Sequence, residues 1–168
     1  GDRDGSRIEG FDGATGQRRW WFGVDELRVS GIQSSGTGPA SVVLVRSYAP
    51  TDSLLALDAT TGALLWARPD HHAFGEGFPA SGSVVLLKSE EPDGGTSWQA
   101  VSLRTGEDLW SKVFRRDCGT TFVATASTVL MSTCDDGPGL AAQVLDPQTG
   151  ERLRTLSSES LGVTDELT

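Results

Sequence analysis

Ala56-Leu57-Asp58-Ala59-Thr60-Thr61-Gly62-Ala63-Leu64-Leu65-Trp66 decides the fold, because its skeleton returns along the chain. Thr-Gly occurs as Thr15-Gly16, Thr61-Gly62, Thr105-Gly106 and Thr149-Gly150, with the glycines 46, 44 and 44 residues apart. Tryptophan stands four residues after the first three glycines (Trp20, Trp66, Trp110). Aspartate stands four before three of them (Asp12, Asp58, Asp146). A fixed period of this length marks a repeat architecture, in which each unit buries its faces against its neighbours.

Working outward from this stretch, residues 54–58 form an apolar strand entering the turn, and 63–68 a second strand leaving it. A weak strand is expected at 73–80, then a sharp Ser81-Gly82 turn and a strong strand at 83–88. An acidic loop, Glu90-Glu91-Pro92-Asp93-Gly94-Gly95, leads to a strand at 98–103. The strong strand recurs at 41–45, 83–87 and 128–132. Short β-rich runs between turn residues, with no 3.6-residue periodicity, predict an all-β chain.

Four strands per period is the content of a β-propeller blade. Lettered A to D from the axis outward, the strands flanking Thr-Gly are C and D, and those around Ser81-Gly82 are A and B. The expected organisation is a single propeller segment over 1–168. Its repeat units run 1–29, 30–72, 73–117 and 118–160, with 161–168 starting a further blade. The first unit opens only at its C strand.

At these residues the chain resembles the pyrroloquinoline-quinone-like, or quinoprotein-type, propellers, whose blade motif runs Ala-x-Asp-x-x-x-Gly-x-x-x-Trp. The copies here are Gly10/Asp12/Thr15/Gly16/Trp20, Ala56/Asp58/Thr61/Gly62/Trp66, Ala100/Ser102/Thr105/Gly106/Trp110 and Val144/Asp146/Thr149/Gly150/Arg154. The departures are Gly10 and Val144 for Ala, Ser102 for Asp and Arg154 for Trp. They suggest packing between blades that loosens toward the C-terminus. In the motif, Gly supplies the positive φ of a tight turn and Asp bonds its own turn backbone. The resemblance implies that each Trp lies against the neighbouring blade. It also implies a ring of seven or eight blades, completed by the same longer chain or by a second copy.

Net charge is −9 and the pI about 4.6, which argues against a nucleic-acid backbone or an anionic membrane surface as partner. No apolar run approaches the roughly 18 residues that a membrane span needs. The chain carries no secretory signal and opens on Gly1-Asp2-Arg3 without a methionine, which reads as an artificially trimmed chain or a mature fragment.

Candidate binding residues fall on the propeller face opposite the Thr-Gly turns. The D–A connections there carry His71, His72, Arg115, Arg116 and Asp117. Arg115 and Arg116 suit an anionic group or a partner's carboxylate. Adjacent His71 and His72 point opposite ways in extended chain and make no natural chelate. The acidic B–C loops (Asp2-Arg3-Asp4, Asp52, Glu90-Glu91-Pro92-Asp93, Asp135-Asp136) read as solvated hairpin ends, with calcium as the sharper alternative. Cys118 and Cys134 are two buried hydrophobes in a cytosolic protein, or one cross-strand disulfide in an exported one. Their position at the same end of one hairpin favours the disulfide.

No catalytic, cofactor-binding or metal-binding residue is assigned. No Gly-x-Ser-x-Gly elbow, phosphate-cradling loop or Cys-x-x-Cys is present. The resemblance brings in dehydrogenases that use quinone, calcium and a disulfide between adjacent cysteines, and no adjacent cysteine pair occurs here. Neither pyrroloquinoline quinone nor calcium is expected as a cofactor. The leading expectation is a non-catalytic, extracytoplasmic binding or scaffold module for a protein partner or small ligand. A degenerate piece of a quinone-dependent dehydrogenase is the alternative.

Overall fold

Alternating short apolar runs and turn residues fold as antiparallel hairpins joined end to end. The computed structural model describes residues 6–23, 25–36, 38–49, 51–69, 80–92, 94–114, 121–125, 127–133 and 141–156. Among these lie β1 (Ile8–Phe11), β2 (Arg18–Phe22), β3 (Arg28–Ser35), β4 (Val42–Ala49), β5 (Ser53–Asp58), β6 (Leu64–Pro69) and β7 (Ala80–Ser81). They are followed by β8 (Val84–Glu90), β9 (Thr96–Ser102), β10 (Asp108–Phe114), β11 (Thr121–Ala124), β12 (Val129–Thr133), β13 (Ala141–Leu145) and β14 (Arg152–Leu156). One 3-10 turn, Gly38–Ala40, interrupts them, and no α-helix occurs among the described residues.

The strands form four antiparallel sheets in sequential order. Three have four strands (β3-β4-β5-β6, β7-β8-β9-β10, β11-β12-β13-β14), and β1-β2 makes the fourth. The chain is therefore all-β and built of propeller blades. The Thr-Gly turns join β1 to β2, β5 to β6, β9 to β10 and β13 to β14. The strand expected at 73–80 is described only at Ala80, and 73–79 lie outside the described residues. The turn expected at Ser81-Gly82 falls one residue later: Ser81 pairs with Val84, leaving Gly82-Ser83 as a two-residue hairpin loop.

The chain divides into two compact units. The first holds β1–β6 together with the turn 102–107, and the second holds the remainder of β7–β10 and all of β11–β14. In the first, Ile8 of β1 packs with Leu27, Val45, Leu55 and Leu57, and Trp20 and Phe22 pack against that cluster. In the second, Val84, Leu86, Trp98, Ala100 and Phe114 pack with Phe122, Val129, Met131 and Leu145. The Trp98 and Phe122 rings stand 4.5 Å apart in a tilted arrangement. Residues on both faces of the β5 strand are buried (Leu54, Leu55, Ala56, Leu57), which is why its sequence is continuously apolar rather than alternating.

Each hairpin that carries a Thr-Gly turn has a β-bulge beside it, at Gly10/Phe11, Ala56/Leu57, Asp108/Trp110 and Val144/Leu145. The extra residue re-aims the outer strand. As a result Trp20 faces Gly10, Trp66 faces Ala56, Trp110 faces Ala100 and Arg154 faces Val144. A Cβ at Gly10 would stand 2.1 Å from the Trp20 ring. Gly10 is thus not a sign of loosened packing: the ring lies closer to its own hairpin there than an alanine would permit.

Candidate functional site

The repeated turn is the best-defined chemical feature of the molecule. In each copy the backbone makes the same two bonds. The Gly16, Gly62, Gly106 and Gly150 amides donate to the carbonyls of Asp12, Asp58, Ser102 and Asp146 at 2.8–2.9 Å, and those four residues' own amides donate across the turn to Gln17, Ala63, Glu107 and Glu151. Closing so short a loop forces the glycines to φ of 69, 73, 73 and 67°. A side chain is strained in that left-handed region.

The aspartate pins the turn from inside. Asp12 Oδ1 accepts from the Ala14 amide (3.0 Å), the Thr15 amide (2.8 Å) and the Thr15 hydroxyl (3.0 Å). Asp58 Oδ1 accepts from the Thr60 amide, the Thr61 amide and the Thr61 hydroxyl, and Asp146 Oδ1 from the amides of Gln148 and Thr149. Hydrogen bonds to the ionised form lower a carboxyl's pKa. The Thr15 amide and hydroxyl, Arg19 and the Ala14 amide hold Asp12 down to about 2. Asp58 is lowered chiefly by Arg104, then by the Thr61 amide, and Asp146 chiefly by the Thr149 amide. Ser102 offers only a 3.3 Å bond to Thr105, so the third turn lacks this anionic clamp.

The tryptophans connect consecutive repeats. Trp20 Nε1 donates to the Ala59 carbonyl (2.9 Å), Trp66 Nε1 to that of Leu103 (3.0 Å) and Trp110 Nε1 to that of Pro147 (2.9 Å). Each acceptor lies three residues before the next repeat's glycine. The ring then covers that glycine: a Cβ on Gly62 would stand 2.5 Å from Trp20, and on Gly106 and Gly150 2.7 Å from Trp66 and Trp110. The glycine therefore has two reasons to be glycine, its backbone angle and the ring seated on it. Sequence reading found only the first.

Further fasteners escaped sequence reading because their spacing spans a whole repeat. Arg104 pairs with Asp58 at 3.0 Å, and Arg68 donates to the Gly106 carbonyl at 2.6 Å, both within the first unit. In the second, Gln148 Nε2 reaches Ser83 Oγ at 2.6 Å. This bond, with that from the Ala59 amide to the Ser41 carbonyl, puts the Thr-Gly and A–B turns at one end of the sheets.

The opposite end of the sheets is where the sequence predicts a binding face. His71, His72, Arg115, Arg116, Asp117, Cys118 and Cys134 lie outside the described residues, as does the start of a further blade expected at 161–168. Of the loops at that end, residues 25–27 place Glu26 at φ 65° beside the buried Leu27, and the Glu91–Gly95 loop closes with bonds from the Glu91 amide to Gly95 and from the Gly94 amide to Glu91. Among the described residues no group of three or more His, Cys, Asp or Glu side chains could hold a metal ion, and no helix is long and apolar enough to cross a membrane.

A sequential antiparallel blade repeated with a ring-on-glycine fastening defines a pyrroloquinoline-quinone-like repeat propeller. A family model described as outer membrane protein assembly factor BamB matches residues 4–167, and the chain belongs to that family. A search of curated protein sequences returns no significant match. Among solved structures, BamB from Moraxella catarrhalis superposes with a TM-score of 0.56 at 22% identity, over 92% of this chain and 43% of that one. The computationally designed Ika8 protein matches with a TM-score of 0.53 at 18% identity, over 87% of this chain and 42% of that one. A europium-containing methanol dehydrogenase matches with a TM-score of 0.46 at 18% identity, over 80% and 28%. The chain thus spans less than half the length of each.

Proposed function

We propose that the chain is a non-catalytic β-propeller module that presents its loop end to a protein partner outside the cytoplasm. The observation that carries this reading is the family match over residues 4–167, whose description is that of an assembly factor rather than an enzyme. The repeat chemistry agrees with it. Asp12, Asp58, Asp146, the four turn glycines, Trp20, Trp66 and Trp110 are engaged in closing turns or fastening repeats. On this reading the partner is a protein of the outer-membrane assembly process, met through the D–A connections that carry His71, His72, Arg115, Arg116 and Asp117. An oxidised Cys118–Cys134 pair fits the same compartment. The strands nearest these cysteines run antiparallel, with Thr121 opposite Ser132.

A photo-crosslinking residue placed at His71 or Arg116 is expected to capture a protein partner in the periplasm of expressing cells, while one at Arg19 captures none. Adducts from Arg19 alone overturn the assignment of the face. Adding pyrroloquinoline quinone with Ca²⁺ is expected to leave tryptophan emission and the melting temperature unchanged. Saturable quenching or thermal stabilisation supports the dehydrogenase reading instead.

A further inference from the structure

The four Thr-Gly turns differ where a side chain and the next backbone nitrogen come together. The pairs are Asp12-Gly13, Asp58-Ala59, Ser102-Leu103 and Asp146-Pro147. An aspartate carboxyl attacked by the following amide nitrogen closes a five-membered imide. The step needs the carboxyl, an available N–H on the next residue, and room around that residue's α-carbon. Ser102 has no carboxyl, and Pro147 has no N–H. Ala59 has an N–H and follows an aspartate, but its β-carbon crowds the approach and the Ser41 carbonyl holds its amide at 3.1 Å.

Gly13 meets all three requirements. It is exposed, and no described atom lies within 4 Å of where a Cβ on it would stand. Among the described residues its amide has no acceptor. The neighbouring Asp12 carboxylate is held by the Ala14 amide, the Thr15 amide and hydroxyl, and Arg19. That clamp favours the ionised form and so slows loss of a carboxyl oxygen as water. Asp58 and Asp146 carry the same amide clamp. It therefore sets the pace without choosing between the turns.

We propose that Asp12-Gly13 is a modification site, selected by the geometry of its turn, where the folded chain converts aspartate to isoaspartate without an enzyme. The Gly13 nitrogen bonds to Asp12 Cγ of the neutral carboxyl. The amide proton and the carboxyl hydroxyl leave as water, giving a succinimide. Water then opens the ring. Addition at Cγ restores the aspartate, whereas addition at the main-chain carbonyl carbon breaks the original peptide bond and leaves the chain running through Cγ. One water leaves and one returns, so the product is an isomer and nothing is oxidised or reduced. The isomer carries one more main-chain carbon between Asp12 and Gly13. The Gly16 amide bond to the Asp12 carbonyl and the three bonds to Oδ1 are fitted to the shorter chain, so conversion loosens the β1–β2 hairpin. The first turn thereby records the protein's age, independently of any partner assigned to the loop end.

Prolonged incubation of the folded chain tests this, with isoaspartate located by isoaspartyl methyltransferase, labelled S-adenosylmethionine and fragment-ion sequencing. Label is expected at Asp12 and only background at Asp58 and Asp146. Sequencing separates Asp12 from Asp4, Asp93 and Asp136, which also precede glycine and lie outside the described residues. G13P gives the first turn the proline natural to the fourth and is expected to lose the label. A59G is expected to stay unlabelled at Asp58 while folded, because Ser41 holds the amide, and to gain label in urea as fast as Asp12 does. No label at Asp12 in the folded parent overturns the proposal. So does label at Asp12 that persists in G13P, or folded A59G labelled at Asp58 as fast as at Asp12. The map of the parent decides the matter alone if circular dichroism shows G13P to be misfolded.

Discussion

The turn at Gly16 and the turn at Gly62 share sequence pattern, backbone angle and hydrogen bonds, yet among the described residues nothing covers the first and Trp20 covers the second. The difference teaches that the turn forms without the ring. Local chemistry (glycine at positive φ, an aspartate accepting two amides, a threonine hydroxyl) is sufficient for the loop, and the indole is added when a neighbouring repeat arrives. Turn closure and repeat fastening are separable.

The largest expected effect comes from removing a ring. Trp66→Ala deletes a buried indole and its bond to Leu103, and is expected to lower unfolding free energy by about 3–5 kcal/mol in a urea titration. Trp21→Ala, on the uncovered surface, is expected to stay within about 0.5 kcal/mol of the parent. Equal losses would break the distinction between the filled and open sides.

Next comes the glycine itself. Gly62→Ala meets both the positive φ and the Trp20 ring, so overpacking of about 1–3 kcal/mol adds to backbone strain of about 1 kcal/mol. Gly16→Ala meets only the strain. The gap between the two melting shifts measures the ring's contribution, and identical shifts would show Gly16 to be covered. Gly10→Ala, set against the Trp20 ring from its own hairpin, is expected to cost about 1–3 kcal/mol by the same overpacking, whereas Ala56→Gly is expected to cost about 1 kcal/mol or less.

The smallest effect is acid sensitivity. Asp12, Asp58 and Asp146 have folded pKa values below the ordinary 3.8. Their contribution is therefore complete above about pH 4 and is lost as pH falls through the folded values, which for Asp12 means toward about pH 2. Asp12→Asn is expected to flatten stability against pH across that window. The third turn, clamped by Ser102, is expected to add no slope, so Ser102→Asp should steepen it. An unchanged pH profile in both variants would show that the turns do not sense acid.

How much of this was legible beforehand follows from the range of each interaction. The all-β class, the strands expected at 54–58, 63–68, 83–88 and 98–103, and the four turns could be read because apolar runs and turn chemistry are local. Trp20, Trp66 and Trp110 stood out by period alone. Arg104 with Asp58, and Gln148 with Ser83, could not be read, because nothing local distinguishes a surface arginine or glutamine that reaches the next repeat from one that does not. Gly10 was misjudged as a lapse in the motif, since the Trp20 ring that makes it necessary lies across the hairpin.

The sequence by itself determined that this chain repeats one hairpin chemistry four times, because glycine, aspartate and threonine at fixed spacing close the same loop wherever they occur. Only the tertiary structure decided which of those loops are seats and which are filled. An indole's place depends on the neighbouring repeat to which it belongs, and that neighbour is some 40 residues away. The Thr-Gly turns at Gly62, Gly106 and Gly150 each lie under a tryptophan ring of the preceding repeat, and among the described residues none covers the one at Gly16.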